Sequence, residues 1–372
     1  MKKSLLVLGV ICGFSIVEAS KFNCNFYKNS FLKVSPNISN LQISTNPDDL
    51  LIVARGTLEY ISRFETLAYI DFQEKSNRRD MLTGLLSCGN YDIDDFRQTL
   101  QFIISTIELG QKRGFHVIND PDFLKQHFDF IKWGHPCSVG WGSTKTILDK
   151  SIKLTQYAIF KVKGSSVKTE KFHFPLYLVP SDEYGMSKEQ AEEQKDKLLR
   201  FKYTRAQILK GALWNNGLTK PLVWLDKNGF HEALMQGSIF VIMPDGKERK
   251  FQVARDNGFS DPSKRYLFFS EVMGEKSKKV FSKPDIELRG QSCFAGDVNV
   301  LGFGKLICIK FKNKKTGIEE LKLGVLADTG GAFIDNPFQL DFFMGIFDNR
   351  MQFKDAISLF PDNVEAFILI KK

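Results

Sequence analysis

The stretch Leu326-Ala327-Asp328-Thr329-Gly330-Gly331-Ala332-Phe333, followed by Gln339-Leu340-Asp341-Phe342-Phe343-Met344-Gly345, decides how this chain is read. The first part is an apolar strand that ends in Asp, Thr and two glycines. The second is an apolar strand with a carboxylate in its middle. Burial in such a strand raises a carboxyl pKa because the charged form loses hydration, and a second carboxylate nearby raises it further. That is how an Asp becomes a general acid near neutral pH. A plainer reading stands beside it. Asp341 and Gln339 would lie on the wet face of a half-buried strand, and Asp328-Thr329-Gly330-Gly331 would be a tight turn.

Outward from this stretch, the chain after about Leu154 reads as strands: Tyr157 to Lys163, Phe174 to Val179, Pro221 to Leu225 and Ser238 to Met243. Asp245-Gly246 turns the last of these back into Glu248 to Ala254, a hairpin. Tyr266 to Ser270, Lys305 to Phe311, Leu321 to Ala327 and Glu365 to Ile370 follow. Ser187 with Gln190, and Thr204 with Gln207, are capping-box patterns that start two helices inside this series. The N-terminal third has a different character. Asn46-Pro47-Asp48 opens a helical pattern running to about Ile70. Asp92 to Leu109 is a second helix, with Phe96, Leu100, Ile103, Ile104 and Ile107 on one stripe. Asp120-Pro121-Asp122 starts a third. Gly134 to Gly142 reads as a boundary. The expectation is a helical N-terminal region followed by a mostly β remainder.

The 372 residues are enough for two or three domains, and 43% apolar with 26% charged is a globular balance that excludes a disordered or fibrous chain. The net charge of +9 comes from dispersed lysines rather than a basic block, so it selects no partner, and no nucleic acid is expected. Lys2 and Lys3, the apolar run Leu5 to Val17 and then Val17-Glu18-Ala19 have the order of a secretory signal peptide cut after Ala19. The run is too short to span a bilayer comfortably. After cleavage Cys24, Cys88, Cys137, Cys293 and Cys308 remain, an odd set without a C-x-x-C. His116, His127, His135, His173 and His231 lack ligand spacing. No metal and no cofactor is expected.

Against this background the stretch resembles the three-aspartate domain of bacterial cell-wall enzymes. Asp328-Thr329-Gly330-Gly331-Ala332 and Asp341-Phe342-Phe343-Met344-Gly345 carry two of the aspartates, and Asp297 in Gly296-Asp297-Val298-Asn299-Val300 stands as the third. Upstream, Phe174-Pro175-Leu176-Tyr177, Tyr203-Thr204-Arg205-Ala206-Gln207-Ile208, Met235-Gln236-Gly237-Ser238, Ala254-Arg255-Asp256-Asn257-Gly258 and Arg265-Tyr266-Leu267-Phe268-Phe269-Ser270 are similar, in order, to motifs of the membrane-bound lytic murein transglycosylase A (MltA) family. Each is weak alone; together, from about Leu154 to Ile370, they form one ordered series. The chain departs from the family at Gln156 and Ala158, which stand where a Gly and a second Tyr are usual. It departs also at Ile239, where a Gly is usual, and at Phe259-Ser260-Asp261-Pro262. Ile239 is therefore expected to crowd the glycan groove.

The resemblance implies a mainly β, α+β chain: a six-stranded double-psi β-barrel with an inserted second β domain and a helical N-terminal region. The implied boundaries are 1–19 for the signal peptide and 20–150 for the helical region. The barrel takes 151–171 plus 273–372, with the three-aspartate domain at 290–372, and the insertion takes 172–272. It implies a carbohydrate lyase that cleaves the β-1,4 bond between N-acetylmuramic acid and N-acetylglucosamine in peptidoglycan, leaving 1,6-anhydro ends. Asp341 is the implied acid/base and Asp328 its neighbour. Thr155, Tyr157, Gln236, Gly237, Ser238, Asn257, Gly330, Gly331 and Asp297 are the implied substrate contacts. The implied setting is a monomer in the periplasm or cell envelope, with outer-membrane association as an option. The alternatives are a catalytically impaired glycan-binding scaffold of the same fold, and a glycosidase acting on another polysaccharide.

Overall fold

The computed structural model describes residues 30–64, 85, 91–134, 136–138, 146–148, 151–282, 284–330, 333 and 336–372. The expected signal peptide, Gly331, Cys24 and Cys88, and most of the expected boundary at 134–142, lie outside the described residues. The chain opens with strands β1 (Phe31–Val34) and β2 (Gln42–Ile43) and helices α1 (Pro47–Phe64), α2 (Ile93–Arg113) and α3 (Pro121–His127). Strands β3 (Phe128–Trp133), β4 (Pro136–Ser138) and β5 (Thr146–Leu148) follow. The long strand β6 (Ile152–Ser165) leads into β7 (Phe174–Tyr177), helices α4 (Lys188–Glu193) and α5 (Arg205–Leu209), and β8 (Pro221–Leu225). Helix α6 (Lys227–Gln236) then precedes β9 (Ser238–Ile242), β10 (Glu248–Asp256) and β11 (Leu267–Val272). The last part holds β12 (Cys293–Ala295), α7 (Val298–Leu301), β13 (Leu306–Lys312), β14 (Glu319–Asp328), β15 (Gln339–Phe347), α8 (Arg350–Ile357) and β16 (Asn363–Lys371). The fold class is mixed α+β.

The helix starts are those the sequence encodes. Asp92 accepts from the Asp94 and Asp95 amides while Asp95 returns to the Asp92 amide, a complete capping box at the head of α2. Ser187–Gln190 and Thr204–Gln207 do the same for α4 and α5. The expected stripe of α2 faces inward, with Phe96, Leu100, Ile103 and Ile107 buried. The N-terminal third also contributes strands, which the helical expectation did not include. β3 pairs antiparallel with β16, matching Ala366 with Trp133, and β1 adds to its outer edge. β3 directly abuts α3, with no turn residue to announce the change. Helices α6 and α8 were missed for a similar reason: each follows at most two residues after a strand and is capped by a lone Asp226 or Asn349.

Pairings run β16–β13–β14–β12–β15–β6, and β6 returns to β16 through Lys153–Asn363 and Ile152–Val364, so six strands form a closed ring of pairings. One cluster of side chains, including Leu154, Phe160, Phe294, Ile307, Leu326, Leu340, Phe342 and Ile368, fills one face of these strands. The opposite face carries Phe343, Cys293, Leu323 and Val325 and is covered by α1 and α2 through Leu50, Val53, Ala54, Leu100 and Ile103. β6 is long enough to serve two units. After leaving β15 it pairs with β9 from Phe160 to Lys163 and with β8 at Gly164 and Ser165. A third cluster, around Ile239, Val241, Phe251, Tyr266 and Phe268, is the core of this second unit. At Gly345 (φ 110°) the β15–β6 register shifts, and the Gly290 backbone packs so close that a Cβ there would meet the Met344 carbonyl at 2.9 Å. Only glycine fits that contact.

Within the second unit the fully buried Arg200 gathers its loops. Its Nε donates to Glu183 Oε2 at 2.8 Å, one terminal nitrogen to Glu192 at 2.7 Å, and the other to the Asp256 carbonyl. The guanidinium also stacks on Phe201 at 3.8 Å. Removing one member of a buried pair strands the other without hydration. Glu183→Ala should therefore cost about 3 kcal/mol or more of stability, read as a lowered urea midpoint. A loss below about 1 kcal/mol, the level of a surface pair, would show that water replaces Glu183 freely.

Candidate active site

Three strands bring the two carboxylates together. β12 lies between β14, to which it runs parallel, and β15, to which it runs antiparallel. Ala295 is opposite Asp328 on one side and Asp341 on the other, and Asp341 is opposite Thr155 of β6. Asp328, Ala295, Asp341 and Thr155 thus form one rung, with the two aspartate Cα atoms about 10 Å apart from strand spacing. The alignment depends on a bulge. Phe294 faces Leu326, but Ala295 faces Asp328, skipping Ala327. A bulge of this kind re-aims the side chain that follows it. Without it the alternation of β14 would send Asp328 to the face of Leu326.

The rung is fastened by its backbone. Gly296 N–H donates to the Asp328 carbonyl at 3.2 Å, and the Thr329 hydroxyl donates to the Gly296 carbonyl at 2.9 Å. Asp297 is buried next to this stitch, where its Oδ1 accepts the Asn299 amide at 3.2 Å and caps α7. Gly330 is half-buried, and a Cβ there would meet only the Phe333 ring, at 3.6 Å. The fold itself does not require glycine at that position, so its missing side chain leaves room on the outer side.

Tyr157 stands two residues along β6 from Thr155, on the same face. Its hydroxyl donates to Asp328 Oδ2 at 2.8 Å, and its ring packs on Phe343 with centroids 5.0 Å apart. Burial and then the Asp328 charge push its pKa well above the usual phenol value, so it remains a donor. Asp341 has no such fixed partner. The residue is half-buried, on the same half-exposed face as Gln339, and its Oδ1 is buried with no hydrogen-bond partner. Burial raises its pKa to about 7, with Asp328 adding to the rise and the Thr155 hydroxyl opposing it. Beside them the Cys293 thiol is held well above its ordinary value by burial and by Asp328. Cys308 is pushed up to about 12 by burial, and both are free thiols too deeply buried to react readily.

The other expected contacts lie farther along β6 or serve the scaffold. Gln236 and Gly237 end α6, with Gly237 left-handed at φ 72°, and Ser238 begins β9. Phe160 pairs with Ile239, so Ser238 sits level with Ile159, two residues beyond Tyr157 on the same face. The expectation that Ile239 crowds the groove is corrected: its side chain is fully buried in the core of the second unit. Asn257 is buried, and all of its amide is engaged. Nδ2 donates to the carbonyls of Tyr203 at 2.9 Å and Lys264 at 3.0 Å, and Oδ1 accepts the Tyr266 amide at 2.8 Å. Sequence reasoning missed Ala295, the centre of the rung, because nothing about an alanine announces a register. Gln339 does share the half-exposed face of Asp341, but it also does something the sequence did not announce: its Nε2 donates to Thr155 Oγ1 at 3.2 Å. Among the described residues, no group of three His, Cys, Asp or Glu is placed to hold a metal ion.

Comparison with known proteins bears on this site. Residues 153–267 match a family model described as the MltA specific insert domain. The fold is similar to that of E. coli MltA with bound chitohexaose, with a TM-score of 0.56, 15% identity and coverage of 92% of this chain and 94% of that one. It is similar to a membrane-bound lytic murein transglycosylase from Agrobacterium tumefaciens, with a TM-score of 0.54, 16% identity and coverage of 92% and 98%. MltA from Neisseria gonorrhoeae gives a TM-score of 0.52, 15% identity and coverage of 87% of each chain. A search of the curated proteins finds no match.

The raised pKa of Asp341 has a consequence for stability that does not depend on function. The folded protein binds a proton at Asp341 between the ordinary value of 3.8 and about 7, where the unfolded chain does not. Stability therefore falls as pH rises through that window, and ionised Asp341 carries the full cost above it. Asp341→Asn removes the cost. The variant should melt a few degrees above the parent protein at pH 8, and the gap should close near pH 4. A gap independent of pH in thermal melts would contradict the burial of this carboxyl.

Proposed function

We propose that this chain, an MltA-family protein by its insert domain and its fold, is a peptidoglycan lytic transglycosylase. Its substrate is the β-1,4 bond between N-acetylmuramic acid and N-acetylglucosamine, and its products carry 1,6-anhydromuramic ends. The observation that carries the reading is the rung itself, which sets the half-buried Asp341, one of its oxygens unpaired and its pKa raised to about 7 by burial, level with Asp328. A hydrolase needs two working carboxylates, one as acid and one as base or nucleophile. Here Asp328 is already held by Tyr157, which leaves Asp341 to move the proton.

Asp341 donates its proton to the glycosidic oxygen as the C1–O bond breaks, and the bond's electron pair leaves with that oxygen. The C6 oxygen of the same muramic acid attacks C1, and the Asp341 carboxylate takes the C6 hydroxyl proton. Water is not consumed, and the acid is regenerated in its ionised-then-reprotonated cycle within one turnover. The nucleophile is tethered to the reacting ring, so most of its entropy cost is prepaid. Burial, with a smaller contribution from the Asp328 charge, holds part of the Asp341 population protonated near neutral pH. Thr155, Tyr157, Gly330 and, farther along β6, Gln236, Gly237 and Ser238 are the proposed glycan contacts, with Gly331 and Asp297 at the end of the rung. Asn257 contributes by shaping its loop.

The same reading makes the six-stranded ring a double-psi β-barrel at 151–171 and 273–372, with 172–272 inserted and 20–150 packed on the barrel. It also places the mature protein in the periplasm or cell envelope as a monomer, after loss of residues 1–19. No helix among the described residues is long and apolar enough to cross a membrane. The bound chitohexaose in E. coli MltA supports a glycan ligand. The intact carboxylate rung supports catalysis over binding alone.

Digestion of purified peptidoglycan followed by mass spectrometry tests the proposal. Anhydromuramic ends are expected; reducing muramic acid as the main product would mean hydrolysis instead. Asp341→Asn should lower turnover at least about a hundredfold, the scale of general acid–base catalysis, while remaining folded.

The pH profile gives a second test. With Asp341 needed in its protonated form, kcat/KM should fall as pH rises through about 7. Asp328→Asn removes the neighbouring charge and should move that fall to lower pH. An unmoved limb would reduce Asp328 to a turn residue.

A further inference from the structure

A chain of hydrogen bonds runs along the rim of the rung to Thr155, which stands across the strand pair from Asp341. Asn336 Nδ2 donates to Gln339 Oε1 at 3.0 Å, and Gln339 Nε2 donates to Thr155 Oγ1 at 3.2 Å. Thr155 Oγ1 in turn lies 3.3 Å from the Leu340 carbonyl, its acceptor, and directly across the strand pair from Asp341. The direction of the chain follows from the Asn336 nitrogen, which faces Gln339 Oε1. An amide has its donors on nitrogen only, so the Asn336 contact orients the Gln339 side chain with its nitrogen toward Thr155. A threonine hydroxyl has one proton and two lone pairs. With a lone pair occupied by Gln339, Thr155 is set up to donate, and two acceptors lie within reach of its rotor: the Leu340 carbonyl and the Asp341 carboxyl. The bond to Leu340 is long, and Asp341 Oδ1 is buried with no partner.

We propose that Gln339 is a positioning residue that keeps the Thr155 hydroxyl a donor toward Asp341. When Asp341 gives up its proton, Thr155 turns from the Leu340 carbonyl to the new carboxylate, and when Asp341 is reprotonated it turns back. Without the Gln339 amide both Thr155 lone pairs, rather than one, are free to accept the Asp341 O–H, which biases the pair toward the acid and makes the proton harder to release. Gln339 therefore acts on the return half of the proton cycle, through Thr155 and without touching the reacting atoms. The other charged or titratable groups around this carboxyl are Asp328 on β14, Tyr157 and Lys153 on β6, Cys293 on β12 and, behind Cys293, Asp49 on α1. Substitution of Gln339 leaves all of them in place.

The kinetic side of this inference rests on the transglycosylase reading; the ionisation side does not, and the experiment separates them. The ionisation midpoint of Asp341 is read from the pH dependence of stability, as the difference between each protein and the same protein carrying Asp341→Asn. Gln339→Met, similar in length and without a donor, should raise that midpoint by about one pH unit, the scale of one lost hydrogen bond to a charged group. Asn336→Ala, which frees the Gln339 amide to turn over, should raise it less. On peptidoglycan, the fall of kcat/KM at high pH should move upward with the midpoint while KM changes little. A midpoint unchanged in both variants overturns the inference, as does a loss of stability that is the same at every pH, which would make Gln339 structural. A shifted midpoint with no cleavage by the parent protein would leave the positioning role standing and sink the proposed activity.

Discussion

The site depends on the pairing of a strand three residues long. Cys293–Ala295 is held from both sides, parallel to β14 and antiparallel to β15, and its last residue is the point at which both carboxylate strands are brought into line. Strands pair through backbone groups alone, so Ala295 needs no functional side chain to set the distance between Asp328 and Asp341. The skipped Ala327 completes the device. A one-residue slip normally reverses the face of everything downstream; here it is confined to the strand's end, where only Asp328 is left to be turned.

Electrostatics then divides two identical side chains. Asp328 sits at the end of its strand, receives a phenolic hydrogen bond and is tied through its own carbonyl to Gly296. Asp341 lies in the middle of an apolar strand, between Leu340 and Phe342, with a buried oxygen left without a donor. An unsatisfied buried polar atom is a local fault by the standards of packing, and such faults concentrate where a group must change its charge. The fault is bounded. The raised pKa leaves the carboxyl about half protonated at neutral pH, so the cost is nearly complete there and is relieved only as pH falls toward the ordinary value of 3.8.

The sequence was informative where the signal is local. The helix start at Asp92, the capping boxes at Ser187 and Thr204, the alternation of the long strands and the odd placement of Asp341 among apolar neighbours are each written within a few residues. What was illegible depends on pairing across the chain. The bulge at Ala327 leaves no mark in composition, β12 is too short to show a period, and β3 follows α3 without punctuation. Ile239 shows the opposite error. Judged by the family motif it ends, it belonged to the groove, yet the alternation that begins at Ser238 turns it inward, and one position decides between the two faces of the strand.

The same geometry explains why a groove can serve two units without a hinge between its halves. Thr155, Tyr157 and Ile159 alternate along one face of β6, and the strand continues unbroken into its pairing with β9. The Asp341 rung and the level of Ser238 are therefore four residues apart on one strand, about 13 Å at the rise of a β-strand. That separation is set by covalent geometry and by ladders on both edges of β6, so it does not vary as two loosely docked domains would. A second tie reinforces it from outside: Arg350 at the start of α8 reaches Glu232 on α6 with contacts of 2.7 and 2.9 Å to its two oxygens. Half-exposed, this pair contributes little stability. Its effect is to hold α6, and with it Gln236 and Gly237, against the ring. A single strand thus links the Asp341 rung to the level of Ser238, with Ile159 between them buried in the core, and the spacing is fixed because the backbone has no freedom to change it.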